Sequence, residues 1–180
     1  MSAIELYCDG GGGVASTAYI GGTACLLMYG EHKKMFQSGW KDTTNNRMEL
    51  QACIYGLGLI KTNKIPINIY SDSAYVVNPF IEGTYKKWVK NGWKISDGSD
   101  LKNVDLWKQL ITLHEKYNPH WSHVKGHSIT WGNCMCDYLA TEARLEVKET
   151  GEAFPLTERL PDNYIHYALE FTKTGRIKKR

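Results

Sequence analysis

The sequence predicts an α/β fold in three layers, a five-stranded mixed sheet flanked by helices. Three observations carry this. Residues 4–10, 21–30 and 33–40 are short alternating apolar segments, and only "EHK" links the last two, so they form an antiparallel hairpin. Two further apolar segments, "INIYSD" (67–72) and "HWSHVKGH" (120–127), each follow a stretch of helical period, which demands crossovers and parallel pairing. The chain of 180 residues is long enough for one domain with a full core.

The elements follow in order. "IELYCDG" alternates Ile4, Leu6 and Cys8 against Glu5, Tyr7 and Asp9, and is expected to end as a strand at a glycine-rich turn, Gly10 to Gly13. The two hairpin strands come next. Leu50, Ile54, Leu57 and Lys61 keep helical spacing, so a helix is expected over 44–62. After Pro66 and the fourth strand, "SAYVVNPFIEG" reads as a short helix stopped near Pro79 and Gly83. A basic helix is expected over 85–91. The polar loop "SDGSD" then precedes a helix over 103–117 with Leu106, Leu110 and Leu113 on one face. The fifth strand and a last helix over 131–148 complete a domain spanning 1–148. Residues 149–180 read as a loop-rich extension, with a short apolar segment at 164–171 and a basic tail.

Composition is ordinary for a soluble globular protein, with 42% hydrophobic and 23% charged residues. No apolar run approaches the roughly 20 residues of a membrane span, and the N-terminus lacks a signal-peptide pattern. Five scattered cysteines, Cys8, Cys25, Cys53, Cys134 and Cys136, read as reduced buried thiols of a cytoplasmic protein. The net charge of +3 is uneven. "TYKKWVKNGWK" (84–94) carries four lysines and "KTGRIKKR" (173–180) five cations, neither with an acid, so the rest of the chain is acidic. That distribution fits a polyanion-binding edge beside a concentration of carboxylates.

Four carboxylates fall at informative places: Asp9 at the end of the first strand, Glu49 at the start of the first long helix, Asp72 after the fourth strand, and Asp137 in the last helix. Singly, each has an ordinary explanation: an Asx turn for Asp9, a capping box from Asn46 to Glu49, an N-cap for Asp72, a solvated position for Asp137. Together they are harder to dismiss, because Asp9, Asp72 and Glu49 come to the sheet edge where α/β folds bind ligands. Clustered carboxylates repel one another unless a cation compensates, and hard oxygen ligands select Mg²⁺ or Mn²⁺. Two such ions can activate water and stabilise a leaving oxygen in phosphodiester cleavage.

The motifs "TTNNRMEL", "DG" after a first strand, "SDS", "WVKNGWK", "KNVDLW", "VKGH" and "CDYLA", in this order over residues 3–145, resemble the type 1 ribonuclease H family with a basic protrusion. The resemblance implies an endonuclease that hydrolyses the RNA strand of RNA–DNA hybrids, leaving 3′-hydroxyl and 5′-phosphate ends. It implies two Mg²⁺ ions, with Mn²⁺ as a substitute. Asp9 would bridge them, Asp137 would complete the site of the ion activating water, and Glu49 and Asp72 would hold the ion at the leaving oxygen. His127 would move protons or help the product leave, with Asn133 in support. Asn45 and Asn46 would read the minor groove between the strands. Thr44 and Asn103 would form a phosphate pocket for the DNA strand, and Lys86, Lys87, Trp88 and Lys90 would belong to the protrusion that grips it. Departures lie in the first turn ("GGGGVASTAYIGG"), at Thr84, at Asp42 and in the loop after His127 ("SITWGNCM"). The expected partner is an RNA–DNA hybrid, with no membrane and no obligate protein partner, the chain acting as a monomer. The alternatives are a non-catalytic hybrid-binding module of the same fold and a related metal-dependent DNA nuclease.

Overall fold

The computed structural model describes residues 2–15, 18–125, 130–160, 162 and 164–174. The chain runs β1 (Ile4–Ala15), β2 (Ala18–Tyr29), β3 (His32–Lys41), α1 (Asn45–Leu59), β4 (Ile67–Ser71), α2 (Ala74–Ile81) and α3 (Thr84–Lys90). It continues through α4 (Val104–Tyr117), β5 (His120–His123), α5 (Trp131–Thr150), β6 (Phe154–Arg159) and α6 (Ile165–Thr174). The sheet order is β5-β4-β1-β2-β3-β6. Strands β1, β2, β3 and β6 pair antiparallel in succession, while β1, β4 and β5 pair parallel. The mixed sheet and its three layers are as expected.

The strand count is not. The sequence indicated five strands and a loop-rich extension, whereas β6 adds a sixth strand on the edge of β3. "FPLTER" opens with Pro155 at its second position and carries only three apolar residues, so its pattern alone reads as loop. It is a strand because an edge position tolerates proline and β3 offers an unpaired ladder. The apolar segment at 164–171 falls within α6 and its approach, where Tyr164 is buried against Tyr138. Residues 175–180 of the basic tail lie outside the described residues.

Each sheet face holds a core. On one side Leu50, Leu57, Val76, Trp107 and Leu110 of α1, α2 and α4 pack against Leu6, Cys8, Cys25 and Ile69. On the other, Met135, Tyr138 and Leu139 of α5 pack against Tyr7, Ala24, Leu26 and Met35. All five cysteines are buried free thiols.

β1 does not end at its glycines. It continues through Gly10–Gly13 to Ala15, paired with β2 all the way. Gly10 and Gly12 serve close packing instead of a turn. A Cβ on Gly10 would lie 2.2 Å from the Met48 carbonyl carbon, and one on Gly22 would lie 2.1 Å from the Ala140 oxygen. The start of α1 and the middle of α5 therefore press directly on the sheet backbone from opposite faces.

Helix α2 takes Pro79 within its last turn and stops at Ile81, between Pro79 and Gly83 as expected. Helix α3 is anchored by aromatic packing. Its Tyr85 packs on Phe80, which stacks on Trp121, with centroids 5.2 and 4.2 Å apart, and Trp88 meets Trp107 edge-on at 5.0 Å. His114 joins Tyr85 and Trp121, its ring nitrogens each 3.1 Å from their partners. Burial pushes the His114 pKa down, so the neutral ring prevails, with Nδ1 accepting from Trp121 Nε1–H.

Candidate active site

β1 outruns β4. Their parallel register ends at Tyr7 and Tyr70, so two steps further on Asp9 and Asp72 stand at the point where β4 gives way to α2. Strand alternation sets the side from which Asp9 projects. Tyr7 meets Gly132 of α5, and Gly13 faces Arg144 of α5, so Asp9 points to the α5 face between them. There Asp137 approaches from α5, while the close contact at Gly10 brings the first turns of α1, and with them Glu49, to the same edge.

Asp9, Glu49, Asp72 and Asp137 line one cleft of ≈ 280 Å³, together with Gly10, Gly11, Asn45, Ala140 and Thr141. The four acids come from β1, α1, the end of β4 and α5, and all are half-buried. Burial, first, and then the neighbouring charges of Asp72, Asp137 and Glu49 hold the Asp9 pKa well above the usual carboxylate range, against the Gly10 N–H, which donates to Asp9 Oδ1 at 2.7 Å. Glu49 is also raised, by burial and Asp72, with two donors opposing. Those donors are Asn45 Nδ2, 2.6 Å from Oε1, and the Ser73 hydroxyl on Oε2.

The ordinary explanations for these acids give way in detail. The α1 N-cap is Thr44, whose hydroxyl accepts from Arg47 N at 3.4 Å, so Glu49 lies beyond capping-box reach of Asn46. The α2 N-cap is Ser73, not Asp72. Asp137 lines the cleft instead of a solvated face. The Asx contact at Asp9 does form, alongside its place in the cleft.

Hard oxygen donors and mutual repulsion at Asp9 suit a hard divalent cation, which would relieve that repulsion. Among the described residues, no three His, Cys, Asp or Glu side chains already stand together as a metal-holding group. The donor chemistry fits Mg²⁺ or Mn²⁺, and the carboxylates line the cleft without being drawn to a common point.

Beyond the acids, Asn45 lies at the cleft and accepts from Gly12 N at 3.1 Å, tying α1 to β1, while Asn46 is exposed beside it. Thr44 and Asn103 are joined through Arg47, whose Nη1 is 3.4 Å from Asn103 Oδ1. Asn103 caps α4, donates to the Tyr75 hydroxyl at 3.1 Å and holds φ 59°. Lys86, Lys87 and Lys90 are exposed on α3, away from the cleft, and Trp88 is half-buried against Trp107. Trp93 is partly buried as well, with Lys108 Nζ 5.3 Å from its ring. His127 lies outside the described residues. Asn133 is buried near the start of α5, with its Nδ2 lacking a partner among the described residues.

Two residues escaped sequence reasoning. Ser73 is buried, caps α2 through Val76 N at 3.3 Å and donates to Glu49. Its signal was the second serine of "SDS", which reads equally well as a cap alone. Arg47 makes a two-pronged ion pair with Asp105, at 2.7 and 3.0 Å, locking the start of α1 to α4. No local pattern connects residues 58 apart.

Comparison with known proteins agrees with this architecture. The RNase H family pattern matches residues 1–144. A protein of Acetivibrio thermocellus called Ribonuclease H is 41% identical over 152 residues, covering 84% of this chain and 99% of its own length. One of Caldanaerobacter subterraneus with the same name is 43% identical over 139 residues, covering 77% and 89%. Among solved structures, LC9-RNase H1, described as a type 1 RNase H with the type 2 active-site motif, superposes with a TM-score of 0.72 at 20% identity. That superposition covers 99% of this chain and 86% of the other, so the likeness in fold includes the extension.

Proposed function

Because the chain belongs to the ribonuclease H family, we propose that it hydrolyses the RNA strand of RNA–DNA hybrids endonucleolytically, leaving 3′-hydroxyl and 5′-phosphate ends. The observation that carries this is the single cleft that Asp9, Glu49, Asp72 and Asp137 line at the edge of β1. Two divalent ions bound there, Mg²⁺ or in its place Mn²⁺, would supply an activated water and stabilise the leaving 3′-oxygen.

The chain's own residues divide the remaining work. Asp9, which shares the cleft with the other three acids, is assigned to both ions. Asp137 is assigned to the water side, and Glu49 and Asp72 to the leaving-group side. The hydrogen bonds from Asn45 and Ser73 orient Glu49, and those donors favour its charged form. His127 is assigned proton movement and product departure, with Asn133 in support. Asn45 and Asn46 present amides to the minor groove, where 2′-hydroxyls distinguish RNA from DNA. Thr44 and Asn103 form the phosphate pocket with Arg47 as its brace. The exposed Lys86, Lys87 and Lys90 neutralise phosphates, and Trp88 both anchors their helix and borders the groove. The catalytic unit spans 1–148, with 149–180 as an extension ending in a basic tail, and the protein acts as a cytoplasmic monomer. Among the described residues no helix is long and apolar enough to cross a membrane.

Incubation of a labelled hybrid with the full chain and Mg²⁺ tests the reading. Internal cuts in the RNA strand alone, abolished by chelator, are expected. Binding without cutting would indicate a hybrid-binding module, and equal cutting of duplex DNA a DNA nuclease.

A further inference from the structure

A second cavity lies further along α5 from the carboxylate cleft. Asp137, Thr141, Arg144 and Lys148 recur at helical spacing along one face. Thr141 borders the acidic cleft. Arg144 and Lys148 line a polar cavity of ≈ 140 Å³ with Leu145 and with Gly13, Val14 and Ile20 of the β1–β2 hairpin. The guanidinium lies against the strand at Gly13, where a Cβ would be in ordinary contact with Arg144 Nη1 at 3.5 Å. Among the described residues neither Arg144 nor Lys148 forms an ion pair. An acid of the same helix, Glu146, reaches instead toward Arg159 at 3.9 Å. Lys148, in the last turn, also offsets the helix dipole, but Arg144 is too far from that end for the same account.

We infer that this cavity is a phosphodiester-binding subsite for the cleaved strand, with Arg144 as a two-pronged phosphate ligand and Lys148 as a second positive charge. The inference rests on the hybrid-cleaving reading. At 1.5 Å of rise per residue, Arg144 lies about 10 Å and Lys148 about 16 Å along the helix from Asp137. On a strand that follows α5, these cations meet phosphates a few nucleotides from the scissile one. Thr44, Asn103 and the lysines of α3 belong to elements on the opposite face of the sheet. The acidic cleft, which repels a polyanion, is thereby flanked by cations on both sides.

The test compares the full-length wild type with Arg144→Gln/Lys148→Gln, measuring hybrid Kd against salt together with KM and kcat. The double variant is expected to raise Kd and KM about tenfold and leave kcat within about twofold. The slope of log K against log salt should flatten by about 1.4–1.8, at 0.7–0.9 per lost phosphate contact. Arg144→Lys/Lys148→Arg should restore the slope. A hybrid shortened to end two nucleotides from the cut on this flank should bind both proteins alike. Unchanged Kd and slope in a double variant with wild-type melting temperature would overturn the subsite. A wild type that binds hybrid but never cuts it would overturn the parent reading instead, and the salt slopes would still decide this one.

Discussion

Replacing Gly10 with alanine would set a methyl carbon 2.2 Å from the Met48 carbonyl carbon and 2.4 Å from the Glu49 amide nitrogen. Both are backbone atoms of α1, so no side chain can swing aside. Ordinary contact begins near 3.4 Å, so the helix must recede by about 1.2 Å. Glu49 would retreat with it from Asp9, and Asn45, which holds both Gly12 N and Glu49, would be pulled from one partner or the other. Misplacing a positioning group by about 1 Å costs on the order of 10²-fold in rate, and overpacking of this kind costs about 2–3 kcal/mol. For a chain of this length that is a fall in Tm of roughly 5–10 °C. The control is the next residue. A Cβ on Gly11 meets nothing within 4 Å, so Gly11→Ala should leave melting nearly unchanged. Steady-state hybrid cleavage and thermal denaturation of both variants check the reasoning. Wild-type kcat and Tm in Gly10→Ala would show that the glycine contact does not set the position of Glu49.

Asp9→Asn is expected to abolish cleavage while hybrid binding survives, measured by gel assay and titration. The same variant should be more stable than wild type when metal-free at pH 7. The folded-state pKa of Asp9 is raised, so stability gained by its protonation is fully present below the unfolded value near 4 and is lost as pH rises through the raised one. The amide removes that loss, and denaturant midpoints across this pH range should become flatter. Ser73→Ala should lower kcat by freeing Glu49 and cost about 1 kcal/mol through the α2 cap, read from urea melts, whereas Ser73→Thr should retain both functions. Neutralising Lys86, Lys87 and Lys90 together should weaken hybrid binding and flatten its salt slope by about 2–3, with an unchanged slope removing α3 from the interface.

Much of this molecule is legible in its sequence. Helical spacing located α1 and α4, apolar runs located β4 and β5, and the motif order collected the four acids that now share a cleft. What escaped depends on contacts distant in sequence. Gly10–Gly13 carry turn chemistry locally, and only the ladder with β2 makes them strand. "FPLTER" lacks a strand pattern of its own and becomes one when β3 supplies partners. Ser73 reads as a cap until Glu49, 24 residues earlier, is seen beneath its hydroxyl. Tertiary packing overrode local propensity in each case.

The sixth strand also borders one edge of the sheet. Cutting the chain after residue 148 would strip the border of the sheet and bare the edge of β3 between Met35 and Gly39. An uncovered ladder of that kind invites strands from other molecules. The appendage therefore acts as a selvedge for the woven part, and a shortened protein should clump on storage even if its catalytic cleft survives the scissors.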